Sequence, residues 1–167
     1  MAEGKNGVSP ELTKKRWQFF PSLPLEDMPA ILSIPKADGT VYLVDVDNLD
    51  RRPRKGLFNT LEGILSLFGG RYGFSQRIAE NSKLVSKYLD NLICIRGLMN
   101  MNDAFTDTVL LRRDKDHMVA DERCVEARKP CVHLITHREK PTLCIRPLPD
   151  ALRMGANWWQ LEFWVRL

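Results

Sequence analysis

The spacing of apolar positions predicts two helices in the middle of the chain and a shorter one further on. Apolar side chains recur at helical intervals over residues 57–68, where a glycine-rich stretch ends the pattern. A second apolar stripe begins after a Ser75 cap and continues to about residue 95. Residues 116–129 suit a short helix that Asp116 caps and Pro130 stops.

The second half of the chain has mainly the pattern of strands. Residues 108–112 are a candidate strand, and residues 131–137 and 142–146 flank a turn and are expected to pair as a hairpin. Residues 158–167 alternate in polarity, which predicts a final strand. In that strand Trp159 would face the core, whereas Trp158 and Trp164 would emerge on the opposite face.

Residues 40–50 combine an apolar run with acidic residues. Residues 41–44 are all apolar, which predicts a strand buried on both faces. Asp45 and Asp47 follow and would share one face, about 7 Å apart. Together these elements predict an α/β or α+β fold: a mixed sheet with two or three helices, antiparallel C-terminal strands and an extended N-terminal arm.

The arm is predicted to span residues 1–39, and residues 40–167 are predicted to form a single mixed α/β domain. Four prolines interrupt any regular element in the arm, at positions 21, 24, 29 and 35. Its apolar residues, such as Trp17 and Phe20, are too numerous for a free linker. We therefore expect the arm to lie over a hydrophobic surface, with Trp17 and Phe20 at a protein interface.

Composition and charge narrow the class of protein. The 167 residues fit one domain, and a net charge of +4 permits contact with nucleic acid without demonstrating it. No apolar run approaches the roughly 20 residues of a membrane span, and the start has no signal-peptide pattern. We therefore expect a soluble, intracellular protein without a membrane partner. Its four cysteines include no CxxC pair, and reduced thiols are expected.

The strand that leads into Asp45-Val46-Asp47-Asn48 resembles the first strand of PIN-like and NYN ribonucleases. The resemblance implies a ribonuclease that uses Mg²⁺ or Mn²⁺, with Asp45 and Asp47 as catalytic residues and Asp45, Asp47 and Asp121 as metal ligands. Further candidate acids are Asp103, Asp107 and Glu122. The chain departs from the family pattern at Thr136-His137-Arg138, where an acid is expected and arginine cannot bind the metal.

The pair Asp45 and Asp47 also resembles the nucleophile motif of haloacid dehalogenase-type phosphatases, in which the first Asp attacks phosphorus. Thr136 would then correspond to the later Thr or Ser of that family. The residues that follow Asp47 depart from the family pattern, because Leu49 and Asp50 stand where Thr and an aliphatic residue are expected.

A basic stretch follows the acidic residues and is a candidate for contacts with RNA. Arginine pairs with phosphate, and aromatic rings stack on bases. The candidate nucleic-acid contacts are Arg51, Arg52, Arg54, Lys55, Arg71 and Tyr72. The alternative interpretation, a solvated turn beside a glycine hinge, is favoured because no known RNA-binding motif accompanies these residues.

Cys131, His133 and His137 would share one face of their strand, with Cys144 on a neighbouring strand. Zinc accepts such ligands. The spacing matches no common zinc module, and buried cysteines beside partly exposed histidines are the favoured interpretation.

The aromatic residues and the incomplete acidic set lead to one main hypothesis. The chain is expected to be a non-catalytic interaction or structural protein, a component of a larger assembly, with other subunits or further copies of itself as partners and RNA as a further candidate. Trp158 and Trp164 are the predicted protein contacts at the C-terminal end. In that case no cofactor is expected, whereas the ribonuclease alternative requires Mg or Mn.

Overall fold

The structure, a computed structural model, describes residues 28–49, 51–99 and 118–167. A four-stranded mixed sheet organises these residues in the order β2-β1-β4-β3. Its strands are β1 (Ala30–Pro35), β2 (Val41–Asp45), β3 (Cys131–His137) and β4 (Lys140–Arg146). The central pair, β1 and β4, is parallel, and both outer pairs are antiparallel. The predicted mixed sheet with an antiparallel C-terminal hairpin is confirmed, and the fold is α+β.

Five α-helices accompany the sheet in the described part of the chain, where two or three were predicted. They are α1 (Arg51–Ile64), α2 (Gly70–Glu80), α3 (Ser82–Tyr88), α4 (Ile95–Met99) and α5 (Glu122–Ala127). The count is higher because the predicted helix over residues 75–95 is broken into α2 and α3, and because α4 begins only where that helix was expected to end. Asn81 adopts an extended conformation, and its side chain accepts a hydrogen bond from the backbone N–H of Lys83, which starts α3. Ser75, the predicted cap, is buried inside α2.

The glycine-rich stretch after α1 is required by the backbone. Gly69 and Gly70 both have φ of +86°, which L-residues with a side chain rarely adopt. A Cβ on Gly73 would lie 1.8 Å from the carbonyl oxygen of Phe68. These glycines allow a sharp turn between α1 and α2, so that both helices pack on the same face of the sheet.

The main core lies between the sheet and helices α1 to α4. Alternate residues of the interior strands point into it, and the helices contribute their apolar stripes. Its fully buried members include Ala30, Leu32, Val132, Leu134, Leu143 and Ile145 from the sheet, and Leu57, Leu61, Phe74 and Ile78 from the helices. Within the described residues, no helix is long and apolar enough to cross a bilayer.

The first predicted strand is exposed, so the expectation that it is buried on both faces is wrong. β2 is an edge strand, with Tyr42 and Leu43 exposed on its two faces. Its neighbour β1 is an interior strand, although β1 had been assigned to the N-terminal arm because of its prolines. Pro35 is the last residue of β1, and it faces Val41 without an N–H to donate. The arm therefore cannot extend to residue 39.

The last ten residues do not form a strand, and the predicted outward position of Trp164 is wrong. Residues Leu161–Phe163 form a short 3-10 helix instead. Trp164 is 0% exposed, and its Nε1–H donates to the carbonyl oxygen of Trp158 at 2.7 Å. Trp159, expected in the core, is 47% exposed, and Trp158 is half-buried against the core. The other predicted protein contacts, Trp17 and Phe20, lie outside the described residues.

Candidate metal centre

Three cysteines and one aspartate converge beside the main core. Cys94 precedes α4, Asp121 precedes α5, Cys124 lies in α5 and Cys131 begins β3. The Sγ atoms of Cys94 and Cys124 are 3.6 Å apart, and the Sγ of Cys131 is 3.8 Å from Oδ2 of Asp121. One donor atom from each of the four residues lies within 4.8 Å of every other. We call this group the Cys3Asp cluster.

Local backbone interactions position the cluster. The Oδ1 of Asp121 accepts a hydrogen bond from the N–H of Cys124 at 2.8 Å and so caps α5. Arg128 ends that helix in the left-handed conformation, with φ of +58°. The chain therefore turns sharply and returns to Cys131 within a few residues. Cys94 is fixed separately, because its Sγ accepts a hydrogen bond from the N–H of Gly97 at 3.3 Å.

The sulfur–sulfur distance between Cys94 and Cys124 fits a tetrahedral zinc ion. A Zn–S distance of about 2.3 Å places two tetrahedral sulfur ligands about 3.8 Å apart. The 3.6 Å between Cys94 and Cys124 is close to that value. Because Asp121 uses Oδ1 as a cap, its Oδ2 remains the donor available to a metal. The four residues therefore supply three sulfur atoms and one oxygen, which suits zinc better than Mg²⁺ or Mn²⁺.

Protonation within the cluster is strongly perturbed. Hydrogen bonds from the thiols of Cys124 and Cys131 hold the pKa of Cys94 far below its usual value. Hydrogen bonds with Cys131 and Cys94, together with burial, raise the pKa of Cys124 far above its usual value. Burial raises the pKa of Asp121, and the charge on Cys94 adds to that rise. The negative charge on Cys94 therefore disfavours ionisation of Cys124 and Asp121. A divalent cation bound between these groups would relieve the repulsion.

The surroundings of the cluster are mostly apolar. The three cysteines belong to a second, smaller core with Ala120, Val125 and Leu148. His133 is buried, and its Nε2 lies 3.5 Å from the Sγ of Cys131. Its Nδ1 lies 3.4 Å from the carbonyl oxygen of Asn91. Arg146 pairs with Cys131 across the strands, and its charge partly offsets the rise that burial causes in the pKa of Cys144.

The acids predicted for a Mg²⁺ or Mn²⁺ site do not share one site, and the grouping of Asp45, Asp47 and Asp121 is wrong. Asp121 contacts Cys131 at one edge of the sheet, whereas Asp45 ends β2 at the other edge, about 14 Å away at usual strand spacing. Asp45 accepts a hydrogen bond from the N–H of Asp47. Asp47 forms a 3.8 Å ion pair with Arg71. Glu122 is exposed on α5, and Asp103 and Asp107 lie outside the described residues.

Sequence reasoning named Cys131 and Asp121 as candidate metal ligands, but in two separate groups, and it missed Cys94 and Cys124. Cys131 was grouped with His133, His137 and Cys144. His137 lies at the far end of β3, about 20 Å along the strand from Cys131. Cys144 is buried beside His133 on the neighbouring strand but is not part of the cluster. The short spacing from Asp121 through Cys124 to Cys131 could have indicated a shared metal site. Cys94 is distant in the sequence, and no local pattern connects it to these three residues.

The candidate nucleic-acid contacts are divided between surface and core. Arg52, Arg54 and Lys55 are exposed in the first turns of α1, and Tyr72 is exposed on α2. Arg71 is 2% exposed, so its predicted contact with RNA is wrong. Its Nε–H donates to the carbonyl oxygen of Met28. The side chain of Arg51 lies outside the part of the chain that the structure describes.

One comparison with known proteins gives a match. A family model described as Domain of unknown function (DUF8414) matches residues 26–164. No curated protein and no solved structure matches the chain. The matched range runs from before β1 to Trp164 and includes all four residues of the Cys3Asp cluster.

Proposed function

We propose that this chain, which belongs to the family Domain of unknown function (DUF8414), is a non-catalytic interaction protein held together by a structural zinc ion. In this proposal it works as a component of a larger assembly. The single observation that carries the proposal is the Cys3Asp cluster, in which three buried cysteines and one half-buried aspartate converge. Such a site joins the segment before α4 to α5 and β3, which lie about 30 residues further along the chain.

The number and burial of the donors support a structural rather than a catalytic metal. Catalytic zinc usually has three protein ligands and keeps one position open for water or substrate, whereas structural zinc has four protein ligands. Cys94, Cys124 and Cys131 are buried, and Asp121 is half-buried. The ribonuclease alternative depends on acids around Asp45, and Asp121 belongs to the cysteine cluster instead.

The metal content of the purified protein tests the proposal. We expect about one zinc per chain by elemental analysis, because the cluster supplies one set of four donors. Cys124→Ser should lose most of the zinc. Asp121→Asn should bind zinc more weakly while α5 remains capped, since asparagine is also a good N-cap.

Cys144 provides a matched control for the cysteine substitutions. It is buried like the cluster cysteines but is not one of them. Burial raises the pKa of its thiol, so it stays a neutral, unliganded group. Cys144→Ser should therefore keep the full zinc content. Equal zinc loss in Cys144→Ser and Cys124→Ser, or a wild-type protein purified without zinc, would contradict the proposal.

RNA is a second candidate partner, and the first turns of α1 favour it. That helix begins with basic residues and has no acidic residue in its first turn, although the N-terminus of a helix favours negative charge. Arg52 and Lys55 are also three positions apart, so like charges are neighbours on the helix surface. A bound polyanion would offset both unfavourable interactions.

Binding of a labelled single-stranded RNA at several salt concentrations tests this second candidate. Replacing Arg52, Arg54 and Lys55 together by alanine should weaken binding and reduce the slope of log K against log salt by about 2, since each lost phosphate contact contributes about 0.7. The control replaces the exposed residues Arg77, Lys83 and Lys140 and changes the net charge equally. If both triple variants bind RNA alike, the basic turn is not the contact.

A further inference from the structure

An open groove lies on the outer side of α5, the helix whose inner side carries Cys124. Its volume is about 700 Å³. Val125 and Ala120 form its buried floor, and Pro35, Pro149 and Leu152 contribute apolar walls. Met154, which follows the lining residue Arg153 in the sequence, is 88% exposed. Solvent-exposed apolar surface of this kind often marks an interaction site.

The rim of the groove is acidic on the side of α5. Glu122 and Glu126 line it and are exposed, one helical turn apart. Neither forms an ion pair in the described part of the chain. Two like charges at this spacing repel each other slightly, and a cation placed between them would remove that repulsion. Asp150 and Arg153 also line the groove and form an ion pair at 3.4 Å. Exposed Arg166 lines it as well, so the lining holds three acidic side chains and two arginines.

We propose that this groove binds a segment of a partner protein in which apolar side chains stand next to lysine or arginine. The apolar side chains would cover Val125 and Leu152, and the basic side chain would lie between Glu122 and Glu126. This inference deepens the proposed function and rests on it, because it names the surface and the partner chemistry of an interaction protein.

The shape and charge of the groove favour a protein segment over other occupants. Small-molecule sites bury most of their ligand, whereas the carboxylates of this groove and Leu152 are exposed to solvent. Three acidic side chains line the groove against two arginines, so the net charge of the lining is negative, which disfavours RNA and anionic lipid at this position. An extended or helical segment with alternating apolar and basic residues satisfies both the apolar walls and the acidic rim.

Selection from a phage-displayed library of random 12-residue peptides on the full-length, zinc-loaded protein tests the inference. We expect enriched peptides that combine two or more apolar residues with lysine or arginine. Affinity of a synthetic enriched peptide should fall at least tenfold when Glu122→Lys and Glu126→Lys are combined. The control combines Glu80→Lys and Glu139→Lys, which are exposed elsewhere and change the charge equally.

A second pair of variants examines the apolar wall. Leu152→Glu should also weaken peptide binding at least tenfold, whereas Leu67→Glu, on an exposed leucine after α1, should leave it unchanged. The inference is overturned if no peptide family is enriched, or if enriched peptides bind the Glu122/Glu126 variant as well as the wild type. Zinc content is measured on every variant. Full zinc with no peptide binding would overturn this inference alone, and peptide binding without zinc would overturn only the structural metal.

Discussion

Removing zinc is expected to lower the thermal midpoint of the native protein by about 8–16 °C. A metal present at a thousand times its dissociation constant stabilises the folded state by about 4 kcal/mol, and each kcal/mol shifts the midpoint of a domain this size by about 2–4 °C. The physical reason is that the metal would join Cys94, before α4, to Asp121, Cys124 and Cys131, and unfolding would separate these ligands. Calorimetry with and without a zinc chelator measures the shift.

Restoration of the metal makes this test specific. Added Zn²⁺ should recover the original midpoint, and Mg²⁺ should not, because three of the four donors are sulfur. Cys144→Ser should respond to the chelator as the wild type does, whereas Cys124→Ser should start from the lower midpoint and not respond. A midpoint that the chelator leaves unchanged in the wild type would show that the cluster is an ordinary part of the core.

Loss of the metal should act locally before it acts globally, since the protein has two cores. The main core, between the sheet and helices α1 to α4, does not include the cluster cysteines. Amide hydrogen exchange in the chelated protein should therefore increase first in α5 and at the start of β3. Exchange within α1 and α2 should change least.

The sequence predicted best those elements whose signals are local. The hairpin formed by β3 and β4 was predicted nearly to the residue because its strand pattern and its turn lie close together. The order of the strands could not be predicted in this way, because β1 pairs with β4, which is distant in the sequence. Residues 41–44 are all apolar, yet in the described sheet β2 pairs with β1 alone and therefore lies at an edge. The prolines in and beside Ala30–Pro35 led to the prediction of an extended arm where the structure has the interior strand β1.

The same distinction explains the candidate site. Asp121, Cys124 and Cys131 are close in sequence, and their spacing was visible even though their shared role was not. Cys94 comes from the segment before α4, and only the packing of that segment along β3 brings it to the others. Trp164 was misplaced because alternating polarity over a few residues can arise in a turn as well as in a strand.

Replacing Arg71 by alanine is expected to destabilise the protein by about 3–5 kcal/mol, without a specific effect on RNA binding. The guanidinium group is buried, lies 4.9 Å from the ring of Phe58 and donates to the carbonyl oxygen of Met28. Truncation would leave a cavity and an unpaired carbonyl at the start of the described chain. Urea unfolding of the variant and the wild type measures the change in the free energy of unfolding.

Two milder substitutions separate the contributions of this side chain. Arg71→Met fills most of the cavity and loses mainly the hydrogen bond to Met28, so we expect a loss of about 1–3 kcal/mol. Asp47→Asn removes the partner charge, but Asp47 is largely exposed, so its pair with Arg71 should contribute about 0–1 kcal/mol. If Asp47→Asn instead cost as much as Arg71→Ala, the ion pair and not the buried packing would hold the first turns of α2 against the chain before β1.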